Sequence, residues 1–108
     1  MPVVVNATAE LGVSNTSGAW LKLFKNDTLS RTGVRIRVQS DASAPCWVAL
    51  QPRGEGQPAG LTEKYIHREF VQTETFDFGL TANGAVEFWI TGGSNGATKV
   101  SAWELVGP

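Results

Sequence analysis

Histidine and cysteine are almost absent from this chain, with one of each in 108 residues. The lone cysteine, Cys46, cannot close a disulfide within the chain, and it excludes a cysteine-rich zinc site. The lone histidine, His67, rules out a metal centre with two or more imidazole ligands. Charge of one sign is lacking too. A formal net charge of −1 gives no general pull toward nucleic acid or anionic membrane, so neither is expected as a partner. No run reaches the roughly 20 apolar residues that cross a bilayer. The opening "MPVVVNATAELG" has no basic stretch followed by a long apolar core, so no secretory signal is expected. The N-x-S/T sequons at Asn6, Asn15 and Asn26 then read as chance matches in turn-rich sequence. Internal repeats and heptads are also missing.

Converging reactive groups are equally scarce. His67 lies in "YIHREF", between neighbours typical of a solvated surface. The serines occupy turn-like segments, and none lies in a G-x-S-x-G elbow. Carboxylates are scattered, without the D-x-D-x-D spacing of a calcium loop. "GGSNGATK" lacks the spacing of a phosphate-binding loop and leads into a strand pattern where such a loop leads into a helix. No catalytic residue, metal or cofactor is expected, and the chain reads as a non-enzyme.

What is present is period-two alternation in short runs bounded by Gly, Asn, Asp, Ser or Pro. Seven strands are expected: Val3 to Leu11, Ala19 to Lys25, Val34 to Ser40, Cys46 to Gln51, Glu69 to Phe78, Ala85 to Thr91 and Thr98 to Val106. Asn83-Gly84 and the run from Gly92 to Gly96 tolerate the positive φ of tight turns, and the last two strands are expected to pair as a hairpin. "LTEKYIHREF" offers at most one short helical turn. The pattern predicts an all-β chain forming one domain over 1–108. Its architecture is a single antiparallel β-sandwich, jelly-roll-like or Ig-like, of about seven to eight strands, with a small barrel as the other solution. A chain of this length buries about two thirds of its unfolded surface and needs no metal or disulfide to fold. One long loop, near 52–66, breaks the meander; connections of this length are functional or mobile.

Four tryptophans exceed what a small sandwich core needs. In "RTGVRIRVQSDASAPCWVALQ", Val34, Ile36 and Val38 oppose Arg35 and Arg37, while Cys46, Val48 and Leu50 oppose Trp47 and Ala49. In "AVEFWITG", Val86, Phe88 and Ile90 oppose Trp89. Trp47 and Trp89 thus lie on the outer faces of their strands, unless a bulge reverses the alternation and makes them core. A partner-binding surface is expected from Trp47, Trp89, Arg35 and Arg37, with Trp20 as a lesser member, because Trp and Arg anchor protein interfaces. Arg35 and Arg37 taken alone also fit the solvated side of an amphipathic strand. Cys46 is expected as a small buried hydrophobe.

The stretches "RTGVRIRVQSDASAPCWVAL" and "GAVEFWITGGSNGATKVSAWELV" together resemble small β-sandwich accessory proteins of tailed bacteriophage virions. In those proteins an R-x-G-[VL]-x-[IV] strand, a polar turn and an aliphatic strand precede a hairpin built around a-x-f-x-I and t-x-V-s-x-x-E-L. The two stretches cover about 40% of the chain. The resemblance implies a structural component of a virus particle, a capsid decoration or head or tail accessory protein. It would be present as a homo-oligomer in contact with other virion proteins, located in the virion and, during assembly, in the host cytoplasm. The rival expectation is a carbohydrate-binding β-sandwich module whose exposed tryptophans stack on sugar rings. Single-stranded nucleic acid would also stack on them, but the near-neutral charge argues against it.

Overall fold

A computed structural model of the chain describes residues 3–8, 11–13, 20–39, 45–58, 68–79, 85–92 and 98–107. Among them are nine strands: β1 (Val3–Ala7), β2 (Leu11–Val13), β3 (Leu21–Lys22), β4 (Gly33–Gln39), β5 (Cys46–Pro52), β6 (Arg68–Phe70), β7 (Glu74–Phe78), β8 (Val86–Gly92) and β9 (Thr98–Val106). One antiparallel sheet has the order β1-β9-β4-β7, with β2 also pairing with β9. The other has the order β3-β8-β5-β6. Both β1 and β2 lie along the same side of β9, at Val106 to Trp103 and at Val100 to Thr98 respectively. They form one broken edge. Across the break the Thr8 N–H donates to the Ala102 carbonyl, and the Ala102 N–H donates to the Thr8 hydroxyl.

Counting that edge as one position, the first strand pairs with the last, the second with the seventh, the third with the sixth and the fourth with the fifth. This is the strand order of a jelly roll, one long antiparallel hairpin rolled into two sheets. It decides between the two sandwich types expected from sequence. It also corrects the expected hairpin of the last two strands, because β8 and β9 belong to opposite sheets. Both neighbours of β9 are taken by β1/β2 and β4, and both neighbours of β8 by β3 and β5. β8 therefore ends in one layer and β9 begins in the other.

Three further boundaries move. The expected strand Val3 to Leu11 ends at Ala7 as β1, and Leu11 opens β2. The expected strand Glu69 to Phe78 divides at 71–73, with β6 in one sheet and β7 in the other. The expected strand Ala19 to Lys25 shrinks to the two residues of β3. Trp20, Leu23 and Phe24 are all buried beside it while Leu21 is exposed, so strand parity does not govern this stretch. The expected helical turn, His67 and the second half of the long loop lie outside the described residues.

The interior follows from the parity of the strands. Val34, Ile36 and Val38 face Cys46, Val48, Phe88 and Ile90 across the core, with Val100 and Ala102 beside them, all fully buried. All five phenylalanines of the sequence join in one edge-to-face chain. It runs Phe24–Phe88 (6.5 Å), Phe88–Phe78 (5.1 Å), Phe78–Phe76 (4.8 Å) and Phe76–Phe70 (6.5 Å). Such contacts add about 0.5–1.5 kcal/mol each beyond the area they bury. An arginine stands over each end. The Arg31 guanidinium lies 5.6 and 5.3 Å from the Phe24 and Phe88 ring centres, and that of Arg68 lies 5.1 and 3.8 Å from those of Phe70 and Phe76.

Arg31 is fully buried and therefore needs counter-charge and acceptors. Its Nη1 donates to Asp27 Oδ1 and Glu104 Oε2, both at 2.7 Å, and its Nη2 to the Val86 carbonyl at 2.6 Å. Glu104, equally buried, also accepts from the Thr28 N–H (2.7 Å), the Thr28 hydroxyl (2.8 Å) and Asn6 Nδ2 (2.6 Å). Burial alone would push the Glu104 carboxyl up, but the bonds from Thr28, Asn6 and Arg31 outweigh it and hold the group below the ordinary carboxylate range. The β3–β4 connection is thereby tied to β1 and β9 in one sheet and to β8 in the other.

Both oxygens of Glu104 face two donors each, so an amide NH₂ in place of either would oppose donor with donor. Glu104→Gln is expected to lower the unfolding free energy at neutral pH by about 3–5 kcal/mol, the cost of breaking a buried ion pair. Because the folded-state pKa lies below the unfolded value of ~4.3, the wild-type contribution is complete above that value. It is lost as the pH falls from there through the folded value. Urea unfolding across this range should show a shallower acid decline for the variant than for the wild type, and parallel curves would contradict the assignment.

Candidate interaction face

The outer side of the second sheet is built by β5 and β8, whose inner residues fill the core. Their outward residues are Trp47, Ala49 and Gln51 on β5 and Glu87, Trp89 and Thr91 on β8. The register pairs Trp47 with Thr91 and Ala49 with Trp89, which sets the two indoles diagonally across adjacent strands. Lys22 of β3 pairs with Trp89, and Glu69 of β6 pairs with Trp47. Ala49 and Thr91 are buried between the two rings, while both tryptophans stay half-buried. Both indoles keep part of their surface accessible on this face.

Carboxylates hold them in place. Trp47 Nε1 donates to Glu69 Oε2 at 2.7 Å and Trp89 Nε1 to Glu87 Oε1 at 3.3 Å. Glu87 Oε2 accepts from the Gly54 N–H at 3.2 Å and lies 3.6 Å from Lys22 Nζ. Burial raises the pKa of the Glu87 carboxyl, but Gly54, Trp89 and Lys22 together leave it below its ordinary value. Gln51 Nε2 donates to the Gly56 carbonyl. The start of the long loop, at Gly54 and Gly56, is thus bonded back onto the margin of the tryptophan face.

The structure brings Trp47 and Trp89 together and separates the other three expected residues from them. Arg35 and Arg37 point outward from β4, which belongs to the other sheet, so they lie on the opposite side of the sandwich. Parity within a strand distinguishes inside from outside but does not say which sheet the strand joins. Arg35 is engaged by Asp77 on β7, through Nε–Oδ1 at 2.7 Å and Nη2–Oδ2 at 3.3 Å. Trp103 stands next to Arg35 in register on that face, a neighbour that depends on the β4–β9 pairing. Trp20 is only 7% exposed, too little to present its ring to a partner. Glu69 and Glu87 were not expected as members of the face. Glu87 shares the parity of Trp89 and was legible in principle, whereas Glu69 depends on the β5–β6 register.

Cys46 is fully buried in the core, as its parity required. Among the described residues no group of three or more His, Cys, Asp or Glu could hold a metal ion. A cleft of about 350 Å³ opens where the edges of the two sheets part, lined by residues 6–8 and 22–26. Its Asn6 amide and Lys22 ammonium are already committed to Glu104, Asp27 and Glu87. No protein-family model matches the chain, and no curated protein or solved structure matches it.

The position of Trp47 depends on one glycine. Gly92 has φ +102°, and a Cβ there would press on the Pro45 carbonyl and stand 2.9 Å from Trp47 Cε3. Gly92→Ala is therefore expected to destabilise the protein by about 1–3 kcal/mol and to shift tryptophan emission as the ring is displaced. Unchanged thermal melting and emission would show that the turn accommodates the methyl group.

Proposed function

We propose that this protein is a non-enzymatic structural part of a virus particle, acting by protein–protein contact through the face that carries Trp47 and Trp89. The observation that carries the reading is the pairing of these two half-exposed indoles on one outer face, each tied through its N–H to a carboxylate. Held rings lose little freedom on binding, and tryptophans at the centre of an interface commonly contribute 2 kcal/mol or more each. The sequence resemblance to phage accessory proteins supports the virion setting. The jelly-roll order is compatible with it, since capsid domains use this architecture, although lectin domains and cupins do too.

A second reading rests on the same residues. Glu69, Glu87 and Gln51 beside two indole faces offer hydrogen-bonding groups around a stacking platform, which suits a carbohydrate.

Sedimentation of the full chain over a concentration series, with and without the paired substitutions Trp47→Ala and Trp89→Ala, tests the proposal. The wild type should self-associate, and the double variant should lose at least ~30-fold in that association, about 2 kcal/mol, while keeping its melting temperature. Association unaffected by both substitutions would remove the face from the assembly reading. Saturable quenching of tryptophan fluorescence by oligosaccharides, lost in the variant, would favour the carbohydrate reading.

A further inference from the structure

A sandwich has four sheet edges, and an unguarded edge strand is a template for another chain. Here β3 includes Lys22, β6 includes Arg68 and Glu69, and β7 includes Glu74 and Asp77, so three edges carry charge. β3 and β6 are also only two and three residues long. The fourth edge differs. Neither β1 (VVVNA) nor β2 (LGV) contains a charged residue.

In β1 the usual burial of alternate residues fails. Val3, Val4 and Val5 are 63%, 51% and 48% exposed, so both flanks of the strand are apolar. β9 occupies one side of β1, and no described strand lies on the other. A register shift between Val4 and Asn6 leaves Val5 without a partner on β9.

We propose that β1 is a self-association edge, pairing antiparallel with β1 of a second copy of this chain across a two-fold axis. An antiparallel edge is complementary to itself in main-chain donors and acceptors, and a two-fold contact requires only one kind of surface. An axis through Val4 sets Val4 against Val4 and Val3 against Val5, matching β-branched side chains across the strands. No charge meets its own copy there, whereas β7 paired with itself would gather four carboxylates, two from each copy. The contact joins the two larger sheets into one sheet running through both copies. It uses a different surface from the tryptophan face and does not rest on it. The irregularity at Val5 shortens the pairing, so the interface is small and belongs with weak, transient contacts.

Analytical ultracentrifugation of the full chain from a few µM to about 1 mM tests this, with Val3→Lys and Val5→Lys combined as the variant. The side chains are exposed, so circular dichroism and melting should be preserved while like charges oppose each other across the axis. The expected result is a dimer in the wild type, weakened at least ~30-fold in the variant; with Trp47 and Trp89 both alanine, association through the tryptophan face is lost and this dimer alone should remain. Hydrogen exchange on the unaltered protein provides a check free of folding effects, because amides in β1 should slow with rising concentration. A wild type without this dimer at about 1 mM, or equal dimerisation with lysines in place, overturns the proposal. So does β1 exchange that is independent of concentration.

Discussion

The contact on which the fold depends is the buried pair between Arg31 and Glu104. A guanidinium without solvent access must be given acceptors on every side, and here they come from the β3–β4 connection, from β8 and from β9. Two sheets that touch only through side chains can slide; a charged group bonded to both fixes their offset. The same guanidinium extends this role, because it also sits over the first two rings of a chain of five phenylalanines. Arg68 stands over the last two and bonds Glu74. The interior is a column of edge-to-face rings with a cation at each end, and each cation is itself held by a carboxylate. Removing Arg31 or Glu104 would leave the other buried without its counter-charge, which costs far more than the pair contributes in excess of two apolar residues of equal size.

This arrangement frees the two outer faces for different chemistry. On the β4–β9 side, charges alternate with a single tryptophan and meet in ordinary cross-strand pairs such as Arg35 with Asp77. On the β5–β8 side, two indoles cover small residues and are fastened by carboxylates. Fastening matters because an indole N–H left unbonded next to an apolar partner would oppose its own burial. With Glu69 and Glu87 supplying the acceptors, each ring can be covered without stranding its donor.

Legibility in the sequence varied with how many sides of a strand are covered. β4 alternates cleanly because one side meets the core and the other water, and its limits were read to within a residue. β5 and β8 were equally clear in parity, so Trp47 and Trp89 were placed outside correctly. Alternation carries no information on partners, however, and Arg35 and Arg37 were grouped with residues on the far side of the sandwich. The split of Glu69 to Phe78 escaped because Phe70, Phe76 and Phe78 share one parity even though they come from two layers facing one core. Arg31 and Glu104 gave no signal at all: one lies in a turn-like segment, the other occupies an inward position where a charged residue is not expected. Their pairing joins residues far apart in the chain, and no local pattern encodes it.

The strand order also bears on how the protein can be made. β9 follows the other eight described strands along the chain, yet it is an inner strand of its sheet, the partner of β1, β2 and β4 alike. Until it emerges, β1 and β2 have no ladder to join, and Arg31 and Asp27 lack the carboxylate that completes their site. Sheets dominated by such distant pairings form slowly and expose unpaired edges meanwhile. During synthesis β1 is therefore made long before β9, and its main-chain groups on that side stay unpaired until β9 arrives.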